Sequence, residues 1–359
     1  MKTLFFIFIT ICYALVNTSW SQTNLLNGPE GIAYHRASKS YFVSNANNGK
    51  IIKIDSLMNQ EVFYQGFSVP MGVEIVGDSL FVASNDPSTI SCIDIYNGEL
   101  VGSMLVPESP SMAHMDIDKR SGFLYVVGQA GDVIKINTKT LSYNVFVGSG
   151  LPNGTQTCNV DTVNNCLYIF SWPVTFVRSI NLADSSEIQN LVNPLVGQNI
   201  DCTKDIEGNV YVSSWQGDKI NKFPPDCSSV PEVFETGFNK PAGLIYNPDE
   251  NLIAVCNFGG NTVDYIELGT SGTGQNMIYD NKNLKVYPNP VQMELKVELK
   301  NNHNQEKTIS VYNLQGYEWA SNHFTGSSTR INMDLMPDGI YILKIESSKK
   351  SYTKKIIKL

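Results

Sequence analysis

Six short stretches decide the fold of this chain: Tyr41-Phe42-Val43-Ser44-Asn45, Leu80-Phe81-Val82-Ala83-Ser84-Asn85, Leu124-Tyr125-Val126-Val127-Gly128-Gln129, Leu167-Tyr168-Ile169-Phe170-Ser171-Trp172, Val210-Tyr211-Val212-Ser213-Ser214-Trp215 and Leu252-Ile253-Ala254-Val255-Cys256-Asn257. They recur at a spacing of roughly 39–44 residues, the period of one small sheet per repeat. Each is rich in β-branched and aromatic residues and ends in an amide or an indole. Upstream of each lies a segment such as Pro70-Met71-Gly72-Val73-Glu74-Ile75, then a polar turn such as Val76-Gly77-Asp78. Downstream, a second turn leads into an alternating strand, for example Lys50-Ile51-Ile52-Lys53-Ile54 or Lys219-Ile220-Asn221-Lys222-Phe223. A less regular fourth strand such as Tyr143-Asn144-Val145-Phe146 closes the unit.

Short strands separated by turns at even intervals predict an all-β chain. A lone four-stranded sheet of this size leaves both faces wet, whereas radial stacking buries them against neighbours and hides most edges. The prediction is therefore a six-bladed β-propeller over residues 22–268. No clear fourth strand follows Leu268 for the last blade. Residues 23–27 are expected to supply it, with Asn276 to Tyr279 as the alternative.

Antiparallel pairing puts the start of a blade's first strand and the end of its second on one face of the disc. That face collects Glu30, Met71, Met112, Thr157, Ile200 and Ala242 from the strand starts. From the strand ends it collects Asn45, Asn85, Gln129, Trp172, Trp215 and Asn257, which form a proposed ligand-binding rim. Amides supply hydrogen bonds and indoles a stacking surface, a combination suited to a glycan, a peptide or an envelope component. The same residues also serve as turn caps and inter-blade wedges.

The ends of the chain have other roles. Lys2, the apolar run from Leu4 to Val16 and the small-residue site Ser19-Trp20-Ser21 read as a secretory signal peptide over residues 1–21, cut before Gln22. No later stretch has the length and apolarity to cross a membrane. Six cysteines follow the leader: Cys92, Cys158, Cys166, Cys202, Cys227 and Cys256. No Cys-x-x-Cys pair suggests zinc. Export permits disulfides, and Cys158 with Cys202 is the first pair to test, against a set of buried free thiols. Of the 26 basic and 34 acidic side chains, 12 and 7 fall in residues 282–359. With Lys2 in the leader, residues 22–281 hold the remaining 13 and 27. An acidic main body argues against nucleic acid as a partner.

Residues 269–281 are rich in Gly, Ser, Thr and polar residues and read as a linker. Beyond it come Leu284-Lys285-Val286-Tyr287-Pro288-Asn289-Pro290, then Ile309-Ser310-Val311-Tyr312, Gly339-Ile340-Tyr341-Ile342-Leu343 and the basic ending Lys354-Lys355-Ile356-Ile357-Lys358-Leu359. Alternation of this kind predicts a small antiparallel β-sandwich over residues 282–359. The Tyr287-Pro288-Asn289-Pro290 opening, Gly339 and Tyr341 in their strand, and the lysine-rich end together resemble the type A C-terminal sorting domain of the type IX secretion system. That resemblance implies a Bacteroidota-type bacterium and passage through the periplasm. It also implies contact with the secretion machinery, and release from the cell or residence on the outer-membrane surface.

The repeats resemble the gluconolactonase/regucalcin-like and NHL-type propellers, closest over Asp205-Ile206-Glu207-Gly208-Asn209-Val210-Tyr211-Val212-Ser213-Ser214-Trp215. The lactonases of that group hold one divalent cation, usually calcium, on the channel axis through oxygen ligands. Carried over by position, Glu30 falls on the family glutamate. Thr157, Ile200 and Met112 stand where the other ligands belong, with Asp201, Asn159 or Asn199 available after a one-residue shift. Glu30 and Asp201 are thus the metal-ligand candidates, and calcium is the ion that the resemblance implies. His114, on an inner strand, is the one candidate for a catalytic or channel-facing base, set against a structural histidine. The sequence favours a non-catalytic ligand-binding module, with a calcium-dependent lactonase-like hydrolase as the alternative and a purely structural propeller as a third reading. It contains no phosphate-binding glycine loop and no Gly-x-Ser-x-Gly elbow.

Overall fold

The computed structural model describes residues 24–148, 150–172, 175–195, 198–268, 278–279, 284–299, 306–313, 318–346 and 350–358. The expected signal peptide and most of the expected linker lie outside them. Every described element is a β-strand, and no helix occurs among the described residues. The chain divides into two compact units, residues 1–245 with 256–263 and residues 246–255 with 264–359.

Among the described residues six antiparallel meanders follow one another in chain order, five with four strands and the last with three. They are referred to below as blades one to six. Their first strands are Pro29–His35, Val69–Val76, Met112–Asp118, Thr155–Asp161, Asn199–Lys204 and Pro241–Asn247. The second strands are Ser40–Asn45, Ser79–Asn85, Phe123–Gly128, Cys166–Ser171, Val210–Ser214 and Leu252–Asn257, which are the recurring stretches of the sequence. First strands of successive blades lie side by side from blade one to blade five. Closure is visible in the backbone: a Cβ on Gly243 of blade six would sit 2.4 Å from the Glu30 carbonyl oxygen of blade one. The same crowding holds at Gly72, where a Cβ would lie 2.7 Å from the Ala113 oxygen. Glycine recurs at these strand starts because neighbouring backbones approach too closely for a side chain.

The layers between blades are apolar. Phe42 and Ala33 of blade one pack with Leu80 and Val82 of blade two. Phe81 and Ile90 pack with Met115, Leu124 and Ile134 of blade three. Tyr125 and Val133 pack with Cys158, Leu167 and Ile169 of blade four. Tyr168 and Phe170 pack with Val210, Val212 and Phe223 of blade five. The residue that opens each recurring strand alternates with the aromatic that follows it, so one strand feeds both of its neighbours.

The N-terminal residues do not add a strand to the last blade as expected. Residues 24–27 are not in a sheet. Asn24 Nδ2 instead donates to the Asn261 carbonyl at 2.8 Å, and Gly28 N donates to Asn261 Oδ1 at 2.7 Å. On the other side Leu25 N donates to Gln60 Oε1 at 2.7 Å, and the Leu25 carbonyl accepts from Asn45 Nδ2 at 2.8 Å. The segment therefore acts as a clasp between blade six and blade one, with Leu26 buried beneath it. The alternative donor also goes elsewhere: Ile278–Tyr279 pairs in parallel with Lys350 and Ser351.

The second unit contains a sandwich of two sheets. One runs Ile278–Tyr279, Lys350–Lys358, Gly339–Glu346, Lys307–Asn313, Glu318–Phe324, and the other runs Leu284–Tyr287, Glu294–Leu299, Ser328–Asn332. Leu295, Val297, Val311, Met333, Leu343 and Ile356 form its core. Tyr287 Oη donates to Glu298 at 2.6 Å and accepts from Lys296 Nζ at 2.9 Å. Asn289 Oδ1 accepts from Ile357 N at 2.8 Å, and Val291 N donates to the Ile357 carbonyl, so the Tyr-Pro-Asn-Pro segment is bound to the last strand. Tyr341 is buried, with its hydroxyl on the Pro337 carbonyl at 2.7 Å.

Candidate functional site: the channel axis and the rim

Every inner strand from blade one to blade five carries a register shift near its start, for example between Pro29 and Ile32, between Met112 and Met115, and between Asn199 and Cys202. A bulge inserts one residue and changes which side chain faces the axis. This is why the residues brought together are Glu30, His114 and Asp201 rather than a ring taken from one aligned column.

His114 is 2% exposed and sits between the two carboxylates. Its Nε2 lies 3.6 Å from Glu30 Oε1 and its Nδ1 lies 3.4 Å from Asp201 Oδ2. Asp201 also accepts from Thr157 Oγ1 at 2.9 Å and from Leu244 N at 3.2 Å. One small cluster thus joins blades one, three, four, five and six. Burial opposes a charged imidazole, but the carboxylates of Asp201 and Glu30 overcome it and hold the His114 pKa above its ordinary value. Burial pushes the Asp201 carboxyl up, with His114 pulling it back.

A second acidic layer lies on the same inner strands. Asp116 Oδ2 accepts from Val160 N at 2.7 Å and from Asn159 Nδ2 at 3.1 Å. Burial raises the carboxyl pKa of both Asp116 and Glu74, and the Asp116 charge adds to the rise at Glu74.

These residues do not fit a calcium ion. Such an ion takes six to eight oxygens at about 2.3–2.6 Å. Here an imidazole already fills the space between the two carboxylates, and Thr157 spends its hydroxyl proton on one of them. Among the described residues no group of three or more His, Cys, Asp or Glu is arranged to hold a metal. The six cysteines are free thiols. Cys158 and Cys202 are neighbours but bond to carbonyls instead, Cys202 Sγ to Cys158 O at 3.3 Å and Cys158 Sγ to Tyr125 O at 3.4 Å.

Some rim residues tie one blade to the next and others brace the start of their own blade. Asn85 Nδ2 donates to the Met112 carbonyl at 3.0 Å, and its Oδ1 accepts from Met112 N at 2.9 Å. Asn257 Oδ1 accepts from Asn239 N at 3.0 Å. Gln129 accepts from Ser111 Oγ at 3.0 Å. Trp215 packs on Phe258 with ring centroids 4.9 Å apart, and Lys240 Nζ lies 5.6 Å from its ring.

The sequence did not single out a second feature of this face. Several buried polar atoms here have no hydrogen-bond partner: Asn45 Oδ1, Trp172 Nε1, Asn199 Nδ2 and Ser214 Oγ, while the buried Ser109 hydroxyl and Asp132 carboxylate face each other. Asp132 pairs with Gly128 at the edge where Gly128 meets Met112, and Asn199 pairs with Ser214, which places them all at the strand starts and ends of one face. Burial raises the Asp132 pKa, with the nearby Ser109 hydroxyl pulling it back. Only the coincidence of Gly128, a short residue at a rim position, with an Asp four residues later hinted at it.

The comparisons fall into two parts. Residues 285–359 match the family of the secretion system C-terminal sorting domain. The chain therefore carries a type IX secretion tail and is destined for export, to the cell surface or the medium. No curated protein matches the chain. Among solved structures, it is similar to PorZ, a bacterial surface component of the type IX secretion system of Porphyromonas gingivalis, with TM-score 0.45 and 14% identity over 91% of this chain and 51% of that one. The chain thus spans about half the length of PorZ. It is similar to a gluconolactonase from Xanthomonas campestris, with TM-score 0.57 and 11% identity over 68% of this chain and 87% of that one. It is also similar to an auxiliary nutrient binding protein from Bacteroides thetaiotaomicron, with TM-score 0.56 and 12% identity over 67% and 70%. At such identities the likeness concerns the fold, which is that of a β-propeller.

Proposed function

We propose that the exported propeller is a non-catalytic module that binds a polar ligand, such as a glycan, a peptide or an envelope component, on the face of the rim. The observation that carries this reading is the set of buried, unpartnered polar atoms at Asn45, Trp172, Asn199 and Ser214, on the same face as the buried Ser109 and Asp132 pair. Native structures leave few such atoms unsatisfied, and those that remain call for an ordered water or a ligand. The nutrient-binding neighbour is consistent with a binding role for the fold. The test is a glycan and peptide array with the mature protein. Binding that falls in Trp172→Ala and Asp132→Asn supports the rim, and binding indifferent to both refutes it.

The convergence of Glu30 and Asp201 favours a second reading, a calcium-dependent lactonase, in which His114 would have to leave the space between them. A ligand that binds only the folded state raises the melting temperature. A calcium-dependent rise that Glu30→Gln abolishes, together with lactone hydrolysis, would establish this reading. Its absence in both assays leaves the binding module.

A further inference from the structure

In blades one, three and five the aromatic of the recurring strand faces a lysine across the sheet: Phe42 pairs with Lys53, Tyr125 with Lys135 and Tyr211 with Lys222. The lysine stem covers the ring or reaches a neighbouring acid. Lys135 Nζ lies 4.3 Å from the Phe123 centroid and 5.5 Å from that of Tyr125, Lys222 Nζ lies 5.7 Å from that of Tyr211, and Lys53 Nζ lies 2.9 Å from Glu61 Oε1. Long stems of this kind cover apolar surface while their charge stays in water. Blade two has Cys92 at this position, paired with Gly102, and Leu141 from the next blade fills the gap. Blade four has Ser179 opposite Tyr168. The corresponding turn of the next blade buries Cys227 fully in the Tyr168 cluster and places Asp226 at the opening.

The missing stem leaves a crevice of about 260 Å³ on the opposite face from the rim, lined among others by Asn165, Tyr168, Ser179, Asn181, Glu187 and Asp226. Its walls are fixed in place. Asn181 Nδ2 donates to Glu187 Oε2 at 2.7 Å, and Asn181 N donates to the Glu187 carbonyl at 3.1 Å. Arg120 of blade three braces the neighbouring turn, donating to the Thr162 carbonyl at 2.8 Å and to Asn165 Oδ1 at 3.2 Å. Walls already held by internal bonds lose little freedom on binding. The volume falls just below the usual ~300–1,000 Å³ of small-molecule pockets, which is room for one ring rather than several.

We infer that this crevice is a second binding site, which takes one pyranose residue, neutral or amine-bearing, of a glycan. The lining alternates amide donors with carboxylate and hydroxyl acceptors, as a ring of hydroxyls requires, and the Tyr168 side chain adds apolar surface. The lining includes Glu187 and Asp226, and the cations nearest to it are engaged by other groups, Lys204 (5.9 Å from the Tyr168 ring) 3.7 Å from Asp161 and Arg120 bonded to Asp118, so phosphate, sulfate and uronate groups are disfavoured. The site is separate from the rim and stands or falls independently of it.

Ser179→Lys is the decisive variant, because it restores the residue type of blades one, three and five and should fold as they do. Saturation-transfer NMR and calorimetry of the mature protein with a panel of neutral, amino, acidic and sulfated mono- and oligosaccharides provide the readout. The expected result is binding of a neutral or amino sugar, weakened at least tenfold by Ser179→Lys and by Asn181→Ala. Three results would overturn the inference: no sugar in the panel binds, Ser179→Lys binds as well as the parent, or acidic sugars are preferred. Loss of all sugar binding in Trp172→Ala alone would assign the sugar to the rim and also reject the crevice.

Discussion

The channel axis and the layers between blades are built on the same strands by opposite means. Between blades, Phe170 meets Phe223 edge to face with centroids 5.5 Å apart, in a cluster with Val177, Val210 and Val212. At the axis, His114 meets Glu30 and Asp201 in an almost equally dry setting, where each charge relies on the others. Apolar contacts add up one by one, so a repeat can vary in any layer and lose only a part. A buried charge cluster is all or none: removing one member leaves the others without partners. The repeats can therefore drift freely in their layers, while the axis is set by individual residues that no two blades share.

Four measurements would break or sharpen this contrast. Truncating the layer should cost most: Phe170→Ala is expected to lower the unfolding free energy by about 3–5 kcal/mol through lost burial and an unfilled cavity. Equilibrium denaturation checks it, and a loss under about 1 kcal/mol would mean that the layer can collapse around the gap. His114→Ala should cost roughly 3 kcal/mol by leaving Glu30 and Asp201 facing each other without a cation. A double substitution with Asp201→Asn should recover part of that loss, and no recovery would argue against charge pairing as its cause.

Asn85→Ala removes both bonds to the Met112 backbone and should cost about 1–2 kcal/mol, with smaller changes for rim residues that make one contact. The smallest effect is that of pH. The pKa of His114 is raised, so its contribution is complete below its unfolded value near 6.5 and fades as pH climbs through its higher folded value. The raised carboxyls of Glu74, Asp116 and Asp201 act in the same direction, losing their contribution as pH rises from the unfolded carboxylate range through their folded values. Hydrogen-bonded Asp118 and Asp161 have lowered values and act in the opposite direction, below the ordinary carboxylate range. The melting temperature is expected to fall between mildly acidic and mildly alkaline pH, with a flatter profile in His114→Ala. Equal slopes in parent and variant would remove His114 as the source.

The repeated strand was legible because its signal is local: alternation, aromatics and turn residues report burial on a sheet wherever they occur. Asp201 was within reach only as a one-residue shift, since the inner-strand bulge that brings it to the axis leaves no distinctive residue type. The strand expected from residues 23–27 is not formed over the described residues 24–27, where side-chain bonds with Asn261 stand in place of a ladder. The crevice was not legible, because which residue stands opposite Tyr168 depends on strand register, and only the register shows Ser179 in the column where three other blades have lysine.

The amino-acid sequence alone determined the β-repeat, its period and the exported tail, because pattern and composition act over a few residues. The tertiary structure alone decided that His114 lies between two acids, that one face gathers unpartnered polar atoms, and that Ser179 leaves a space. Each of these depends on groups tens to hundreds of residues apart, whose meeting is set by bulges and ring closure rather than by any local preference.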